Sequence, residues 1–234
     1  MTQDFEDKIA LVTGASRGIG KATAIALGRA GAHVIITART IGGLEEVDDT
    51  IKQAGGSATI MPLDLRELDK IDTLGPQIYE RFGRLDVFIS NAAMLGTLSP
   101  LLHHNAKEWD RLITLNLTSN FRLIRTLDPV LRAAEAGRAV FLTSGVAKDN
   151  RAYWGPYSVS KAGLEALAGT YASECVDSSV RVNCFDPGPV RTAMRAQAYP
   201  GEDATKLKDP DETAKKILEL CRPDFTRNGE RIAA

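Results

Sequence analysis

Short apolar runs alternate with longer amphipathic stretches along the chain. The short runs are rich in β-branched residues and predict strands, at residues 9–13, 33–38, 58–61, 87–90, 139–143, 180–185 and, minimally, 231–233. In the longer stretches apolar residues recur at helical spacing, which predicts helices at residues 18–30, 41–54, 68–82, 106–133, 157–175 and 211–221. Pro76 splits the third helix or opens its second part, and residues 188–208 form an irregular stretch.

This alternation of strands and helices predicts βαβ units. Because right-handed crossovers place helices on both sides of the strands, the expected fold class is α/β, a doubly wound parallel sheet of the Rossmann type with helices on both faces. No linker, repeat or low-complexity segment interrupts the pattern, so residues 1–234 are expected to form a single domain. Ligands of such sheets bind outside the carboxyl ends of the strands, where the strand order reverses.

The composition is that of an ordinary packed globular protein, with 44% hydrophobic and 25% charged residues and a net charge of −1. This balance favours neither nucleic acid nor an anionic membrane as a partner, and no apolar run reaches the roughly 18 residues of a membrane-spanning helix. The three cysteines lack metal-ligand spacing, so we expect free thiols, no metal site and a reducing compartment. The acidic N-terminus does not resemble a secretory signal, and the expected location is the cytoplasm.

A glycine-rich segment joins the first predicted strand to the first predicted helix. It reads Thr13-Gly14-Ala15-Ser16-Arg17-Gly18-Ile19-Gly20. Glycines at such a turn let the backbone approach a phosphate, and the following helix supplies free N–H groups and the positive end of its dipole. A purely structural turn also explains glycines, but their place between a strand and a helix favours a dinucleotide site formed by Gly14, Ser16, Arg17, Gly18, Ile19 and Gly20.

The end of the second strand indicates which cofactor is bound. NAD sites commonly offer a carboxylate there to the ribose 2′-hydroxyl, about 20 residues after the glycine loop. In this chain Arg39 occupies that position, and Ser16 and Arg17 of the loop can reach the same group. Guanidinium groups suit a dianionic 2′-phosphate, so we expect NADP(H) to be preferred over NAD(H). The alternative is that both arginines are plain surface residues.

Tyr157 and Lys161 form the candidate acid–base pair. Their i, i+4 spacing places them on one face of a helix. Tyrosine has an ordinary pKa of ~10, and a neighbouring ammonium is expected to lower that pKa towards the neutral range, where a general acid or base works best. The same spacing also fits a packed tyrosine beside a surface lysine.

Ser144 supports the catalytic interpretation of this pair. It lies thirteen residues before Tyr157, directly after the fifth predicted strand, so it reaches the same rim of the sheet. Its hydroxyl can bond a carbonyl oxygen and stabilise negative charge that develops there. A nucleophilic serine is disfavoured, because no histidine lies nearby in sequence to act as its base.

Together these motifs resemble the classical short-chain dehydrogenase/reductase family over about residues 7–220. The matching segments, in the family's order, are TGASRGIG at 13–20, Asp64, SNAA at 90–93, Asn116, Ser144, Tyr157 with Lys161, and PGPVRT at 187–192. Residues 190–210 resemble a bacterial subgroup of oxoacyl-carrier-protein reductases and aldehyde reductases. Ala93 departs from the pattern, because the family usually has a glycine there.

The resemblance implies a role for each matched residue. Tyr157 would donate and accept the proton, Lys161 would hold the ribose hydroxyls, Ser144 would orient the carbonyl, and Asn116 would hold a water of a proton relay. The remaining residues would contact the cofactor: Asp64 and Leu65 at the adenine, Asn91 with Ala92 near the ribose, and Pro187, Gly188, Val190 and Thr192 around the nicotinamide.

The resemblance also implies self-association. Residues 106–133 and 157–175 resemble the helices through which family members pair, so we expect a homodimer or homotetramer built on them. The tail after the last helix is shorter than in many members, where a longer final strand joins subunits. The short tail weakens the case for the tetramer.

The expected reaction is hydride transfer between NADP(H) and the carbonyl or alcohol carbon of a small apolar substrate. The residues expected near that substrate are mostly apolar: Met94, Leu95, Val146, Tyr153, Trp154, Pro189 and Met194. Aldehydes, ketones, quinones, sterols and acyl thioesters all remain open as substrates. Two other functions remain open, an NADP(H)-binding regulatory or scaffold protein with little turnover and an NAD-linked alcohol dehydrogenase.

Overall fold

A seven-stranded parallel sheet forms the centre of the computed structural model, which describes residues 4–234. Its strands are β1 (Ile9–Thr13), β2 (His33–Thr37), β3 (Ser57–Ile60), β4 (Val87–Ser90), β5 (Arg138–Leu142), β6 (Arg181–Asp186) and β7 (Arg231–Ala233). They lie in the order β3-β2-β1-β4-β5-β6-β7, and each neighbouring pair is parallel. The predicted doubly wound α/β sheet is confirmed, including its short last strand.

Helices cover both faces of this sheet. They are α1 (Gly18–Arg29), α2 (Ile41–Gln53), α3 (Leu68–Ile71), α4 (Leu74–Phe82), α5 (Ala106–Ile113), α6 (Ser119–Arg132), α7 (Val146–Asp149), α8 (Gly155–Glu174), α9 (Ala193–Ala198) and α10 (Pro210–Cys221). Core residues of α1, α2 and α10 pack on one face, and those of α4, α6 and α8 pack on the other. Within the described range, no helix is both long enough and apolar enough to span a membrane.

Alternating side chains along each strand build the two core layers. In β1, Leu11 packs against the face covered by α4, α6 and α8, whereas Ala10 and Val12 pack against α1, α2 and α10. In β2, Ile35 and Ile36 divide between the layers in the same way. A strand buried on both faces has a continuous apolar sequence, which is why the apolar runs located these strands.

The helix predicted at residues 106–133 is not one regular α-helix. α5 ends at Ile113, a π-helical turn occupies Thr114–Thr118, and α6 begins at Ser119. The π-turn carries Asn116, whose buried amide makes hydrogen bonds to the backbone N–H and carbonyl of Met94. Apolar spacing does not reveal such a turn, because a single added residue leaves the surrounding helix pattern almost unchanged.

Short helices account for the other differences from the prediction. The stretch at residues 188–208, predicted to be irregular, contains α9 and a 3₁₀ turn at Ala204–Lys206, and α7 follows Ser144. These elements have six residues or fewer, too few for a helical periodicity to be visible. The predicted break in residues 68–82 is present, with Pro76 in the first turn of α4.

The strand order reverses between β1 and β4. β2 and β3 lie on one side of β1, whereas β5, β6 and β7 lie beyond β4. The connections that leave β1 and β4 therefore run to opposite faces, and a crevice opens between them at the carboxyl ends of the strands.

Gly75 lets α4 lie close against α6. Its N–H donates to the Thr126 hydroxyl at 3.0 Å, and a Cβ at this position would overlap the Thr126 carbonyl oxygen. We expect Gly75→Ala to lower the free energy of unfolding by about 1–3 kcal/mol, because the two helices must move apart to accept the methyl group. Chemical denaturation measures this change.

Gly42→Ala in α2 is the matched control. A Cβ there meets no neighbouring atom within 4 Å in the described part of the chain. This variant should gain roughly 0.5–1 kcal/mol, since alanine is the better helix former. Equal stabilities of the two variants would contradict the close packing of α4 on α6.

Candidate active site

A cavity of about 520 Å³ lies along the crevice at the carboxyl ends of the strands. The residues singled out from the sequence that line it are Gly14, Ser16, Arg17, Gly18, Ile19, Arg39, Asp64, Leu65, Asn91, Ala92, Ser144, Tyr157, Lys161, Pro187, Gly188, Val190 and Thr192. Gly20 and Asn116 are not part of this lining and are buried behind it. Residues distant in sequence therefore meet in one elongated site.

The loop between β1 and α1 depends on glycine at two positions. Gly14 and Gly18 have φ values of +65° and +56°, in the left-handed region that favours glycine. A Cβ at Gly14 would lie 2.9 Å from the Cα of Ala92, and one at Gly20 would overlap the Gly14 carbonyl. These close approaches bring the loop, the start of α1 and the segment after β4 together.

Thr13 and Asn91 tie the ends of β1 and β4 to each other. The Thr13 hydroxyl accepts hydrogen bonds from the backbone N–H groups of Asn91 (3.0 Å) and Ala92 (3.1 Å) and donates to the Ile89 carbonyl. The Asn91 amide donates back to the carbonyls of Thr13 (2.8 Å) and Gly14 (3.2 Å). The amide of Asn91 therefore holds the glycine loop in place.

The first turn of α1 faces the cavity with free backbone donors. Arg17 is its N-cap residue, and no described side chain caps the turn, which also contains no acidic residue. Gly18 and Ile19 of this turn line the cavity. Uncapped N–H groups and the positive end of the helix dipole favour an anionic group at this place.

Arg39 is an exposed residue at the end of the cavity that also includes Ser16 and Arg17. Nearby, Asp64 accepts hydrogen bonds from Arg66 Nε (3.0 Å) and Nη2 (2.5 Å). These hydrogen bonds hold the pKa of Asp64 below its ordinary value, and the charge of Arg39 contributes less to this shift. Because Arg66 already pairs with the carboxylate, Arg39 faces the cavity without an ion pair to any of the residues 4–234 that the structure describes.

Tyr157 is buried at the opposite end of the cavity. Burial raises the pKa of Tyr157 to about 12, while the nearby Ser144 hydroxyl opposes this rise and Asp186 adds to it. The lowering of this pKa expected from Lys161 is not found, because loss of water around the phenol is the largest influence on it.

Lys161 lies 3% exposed, with its Nζ 5.9 Å from the centre of the Tyr157 ring. Its ammonium donates to the Leu142 carbonyl at 2.7 Å, which fixes the side chain beneath the end of β5. Burial lowers the pKa of Lys161 to about 8, and interactions with Cys184 and Glu165 oppose the shift only in part.

Asn116 is fully buried, and hydrogen bonds engage its side chain on both sides. Oδ1 accepts from the Met94 N–H at 2.9 Å, and Nδ2 donates to the Met94 carbonyl (2.9 Å) and the Ser160 hydroxyl (3.1 Å). Asn116 therefore joins α8 to the segment that follows β4. Its backbone carbonyl accepts a hydrogen bond from Asn120 at 2.9 Å.

Apolar residues surround the mouth of the cavity beside Tyr157. Of the residues expected there, Leu95, Trp154 and Met194 line it, whereas Met94, Val146, Tyr153 and Pro189 do not. Tyr153 is 61% exposed and has φ +74°, so this backbone turn directs its side chain towards solvent. The expectation that Tyr153 forms a wall of the substrate site is therefore wrong.

The segment at residues 191–207 forms a lid over this mouth. An isolated parallel bridge between Val190 and Lys208 closes its base. The ring of Tyr199 in the lid lies 5.9 Å from that of Trp154 and 3.8 Å from the Arg195 guanidinium carbon, and its hydroxyl accepts a hydrogen bond from Arg151 at 2.6 Å.

Arg191 and Arg195, two basic residues near this mouth, both have acidic partners. Arg191 pairs with Asp209, and Arg195 pairs with Glu202. The structure therefore gives each of them a structural role in the lid and its base.

Several residues that contribute to the site were not expected from the sequence, and three of them make specific contacts or stand at a telling position. Arg66 pairs with Asp64, Asp186 lines the cavity, and Tyr199 packs on Trp154. Asp186 stands directly before the Pro187–Gly188 turn, and this position was the one available signal. Arg66 and Tyr199 depend on contacts that no periodicity encodes.

The groups that line the cavity suit the parts of a nicotinamide adenine dinucleotide phosphate. The first turn of α1, which no described side chain caps, suits its pyrophosphate, and the exposed guanidinium of Arg39 suits a 2′-phosphate. At the other end, the buried Tyr157 and Lys161 and the partly buried Ser144 provide hydroxyl and ammonium groups for a ribose and a reacting carbonyl. The residues present therefore fit this cofactor.

Comparison with known proteins agrees with this geometry. The sequence model of the family described as short chain dehydrogenase matches residues 8–203. The uncharacterized oxidoreductase YciK of Escherichia coli (strain K12) is 37% identical over 226 residues, which cover 95% of this chain and 89% of that protein. The 3-oxoacyl-(acyl-carrier-protein) reductase FabG of Vibrio cholerae is 31% identical over 229 residues, which cover 94% of this chain and 92% of that protein.

A solved structure shows the same fold. The crystal structure of a short chain dehydrogenase from Escherichia coli CFT073, complexed with NADPH, has a TM-score of 0.95 and 35% sequence identity. The similarity covers 100% of this chain and 99% of that one. The family model, a relative above 30% identity over nearly the full chain, and this fold all agree, and the chain belongs to the short-chain dehydrogenase/reductase family of oxidoreductases.

Proposed function

We propose that this oxidoreductase transfers hydride between NADP(H) and a carbonyl or alcohol carbon, with Tyr157 as general acid and base. One observation carries the proposal. Tyr157, Lys161 and Ser144 lie at one end of a single cavity whose other end contains the glycine loop and Arg39. A nicotinamide at the first end and a 2′-phosphate at the second suit these two sets of groups.

In the reductive direction, the Tyr157 hydroxyl donates its proton to the carbonyl oxygen of the substrate. When bound, NADPH supplies the hydride that the carbonyl carbon accepts. A raised pKa of about 12 keeps Tyr157 protonated at neutral pH, and this is the form a general acid needs. The Ser144 hydroxyl donates a hydrogen bond to the same oxygen, which stabilises the negative charge that develops on it.

Lys161 would hold the ribose hydroxyls and place a positive charge below the phenol. Its buried position and its hydrogen bond to Leu142 leave little freedom for the ammonium group. The family resemblance also gives Asn116 a part in a proton relay. In that role Asn116 would hold a water through its backbone, because its side chain is already bonded to the backbone of Met94.

The substrate we propose is a small molecule with a carbonyl group and an apolar body. Leu95, Trp154 and Met194 form an apolar wall next to Tyr157 and Ser144. Similarity to a 3-oxoacyl-(acyl-carrier-protein) reductase makes a 3-oxoacyl thioester one member of this class to test, beside aldehydes, ketones and quinones.

Three buried free thiols, of Cys175, Cys184 and Cys221, suit the reducing cytoplasm as the place of action.

Tyr157→Phe tests the chemical step. We expect turnover of NADPH with a responsive carbonyl compound to fall by roughly 100-fold or more, because phenylalanine has no proton to give. Affinity for NADPH should change little, since the ring remains. Steady-state kinetics with a panel of aldehydes, ketones, quinones and an acetoacetyl thioester measures the first quantity, and calorimetry the second.

Tyr79→Phe is the control, because Tyr79 is 62% exposed on α4 and does not line the cavity. It should leave turnover unchanged. Turnover by Tyr157→Phe at the level of the unsubstituted protein would show that another group donates the proton. Tight NADPH binding without turnover of any compound in the panel would favour a regulatory or scaffold protein.

Arg39→Asp tests the preference for NADP(H). The substitution places a carboxylate where the 2′-phosphate is expected, so affinity for NADPH should fall by roughly tenfold or more while affinity for NADH is kept or improved. Titration of each cofactor, followed by its fluorescence, gives both dissociation constants. Arg29→Asp makes the same change in charge at the far end of α1 and should spare both affinities. Equal losses for NADPH and NADH in Arg39→Asp would rule out recognition of the 2′-phosphate.

We also propose that α5–α6 and α8 pair two copies of the chain. Phe121 on α6 is 47% exposed and Val159 on α8 is 48% exposed, so each helix presents a large apolar side chain to solvent. Burial of such side chains against a second copy would remove apolar surface from water.

Sedimentation of the protein should therefore give a mass of a dimer or tetramer of the 25.3 kDa chain. Phe121→Glu combined with Val159→Glu should shift it towards the monomer, because charges would be buried without partners. Tyr79→Glu, on the exposed part of α4, should not change the mass. A monomer in the unsubstituted protein would refute the pairing.

A further inference from the structure

Arg231 in β7 joins two carboxylates, Asp186, which lines the cavity, and Glu165 on α8, which lies behind it. Its Nε donates to Glu165 Oε1 at 2.8 Å, and its Nη2 donates to Asp186 Oδ2 at 2.6 Å. The three side chains are 22%, 18% and 13% exposed, respectively. They therefore form a largely buried ionic bridge between α8, β6 and β7.

Glu165 connects this bridge to the groups proposed for catalysis. It lies one helical turn after Lys161 on α8, and its Oε1 also accepts a hydrogen bond from the Thr143 hydroxyl at 2.7 Å. Thr143 directly precedes Ser144. One carboxylate thus holds both the helix that carries Lys161 and the segment that carries Ser144.

Asp186 connects the bridge to the end of the cavity that contains Ser144 and Tyr157. Oδ1 accepts a hydrogen bond from the Gly188 N–H at 3.0 Å, while Oδ2 receives Arg231. Asp186 also lines the cavity, together with Pro187 and Gly188. A Cβ at Gly145 would lie only 3.7 Å from Oδ2, so the carboxylate sits close to Ser144 as well.

The negative and positive charges at this bridge are equal in number. Glu165 and Asp186 supply two negative charges, while Arg231 and Lys161 supply two positive ones. Burial favours the neutral form of Arg231, but its hydrogen bonds and ion pairs with Glu165 and Asp186 outweigh burial and raise its pKa. Loss of Arg231 alone would leave a carboxylate without its cation at the edge of the cavity.

We propose that Arg231 is a positioning residue that holds Asp186 at the cofactor site and, by neutralising it, sets the relative affinity for the oxidised and reduced cofactor. The inference rests on the proposed nicotinamide cofactor. The oxidised nicotinamide ring carries a positive charge and the reduced ring is neutral, whereas the phosphates of the two forms are the same. A carboxylate freed from Arg231 would therefore favour the oxidised form selectively.

The test compares dissociation constants of NADP⁺ and NADPH, measured by calorimetry at neutral pH and low salt. The quantity of interest is the ratio of the NADP⁺ constant to the NADPH constant. Arg231→Gln removes the positive charge and should lower this ratio by about threefold to tenfold. Asp186→Asn removes the negative charge, keeps an acceptor for the Gly188 N–H, and should raise the ratio by a similar factor.

Combining the two substitutions separates charge from structure. In the double variant both charges are absent, so the ratio should return to within about twofold of the unsubstituted value. Arg227→Gln is the control, because Arg227 pairs with Glu230 at an exposed position and does not line the cavity. It should leave the ratio unchanged.

Different outcomes identify which idea fails. If Arg231→Gln weakens NADP⁺ and NADPH equally, Arg231 has only a structural role and the inference is overturned. If that variant does not fold, as judged by circular dichroism, Asp186→Asn decides alone, and an unchanged ratio overturns the inference. If the unsubstituted protein binds neither form, the proposed cofactor is wrong and the inference falls with it.

Discussion

The buried hydroxyl of Thr13 links the carboxyl ends of β1 and β4, the two strands between which the site opens. Loops that leave β1 and β4 run to opposite faces of the sheet, and beyond the strand ends no ladder of hydrogen bonds joins them. Thr13 supplies that link, since its hydroxyl accepts hydrogen bonds from the backbone N–H groups of Asn91 and Ala92. In return, the side-chain amide of Asn91 donates to the carbonyls of Thr13 and Gly14 in the glycine loop. The shape of the loop, the direction of α1 and the position of the segment after β4 all follow from this link.

Loss of water dominates the chemistry at the other end of the cavity. Burial raises the pKa of Tyr157 and lowers that of Lys161, so it favours the uncharged form of both side chains. Neither shift stabilises the fold, because both residues would be better solvated at the surface. The stability given up here must come from the two apolar layers of the core, and the hydrogen bond from Lys161 to Leu142 recovers only part of it.

The sequence predicted those features that repeat along the chain. Leu11 and Val12 face opposite core layers, and runs of such residues located the strands and hence the parallel sheet. Motif spacing also predicted that Gly14, Ser144 and Tyr157 share one site, because each follows or adjoins a strand end.

Features that depend on a single distant partner were not predictable in this way. The π-turn carries Asn116, whose side chain bonds to the backbone of Met94. The ionic bridge joins Arg231 to Asp186 and Glu165, which lie 45 and 66 positions earlier in the chain. Nor could spacing reveal that burial would dominate the pKa of Tyr157, because the degree of burial is a property of the whole packed core.

The β-bridge between Val190 and Lys208 holds the two ends of the lid together, so the lid forms a closed loop outside the sheet. Its contacts with the rest of the site are mainly between side chains, such as Tyr199 on Trp154, and its two ends meet at one place. An insertion, deletion or exchange of sequence beyond Thr192, within residues 193–207, would leave the strand order, the glycine loop and the proposed acid–base pair as they are. This part of the lid is thus a suitable segment for protein engineering, in which the wall beside Tyr157 can be altered while the site proposed for hydride transfer is kept.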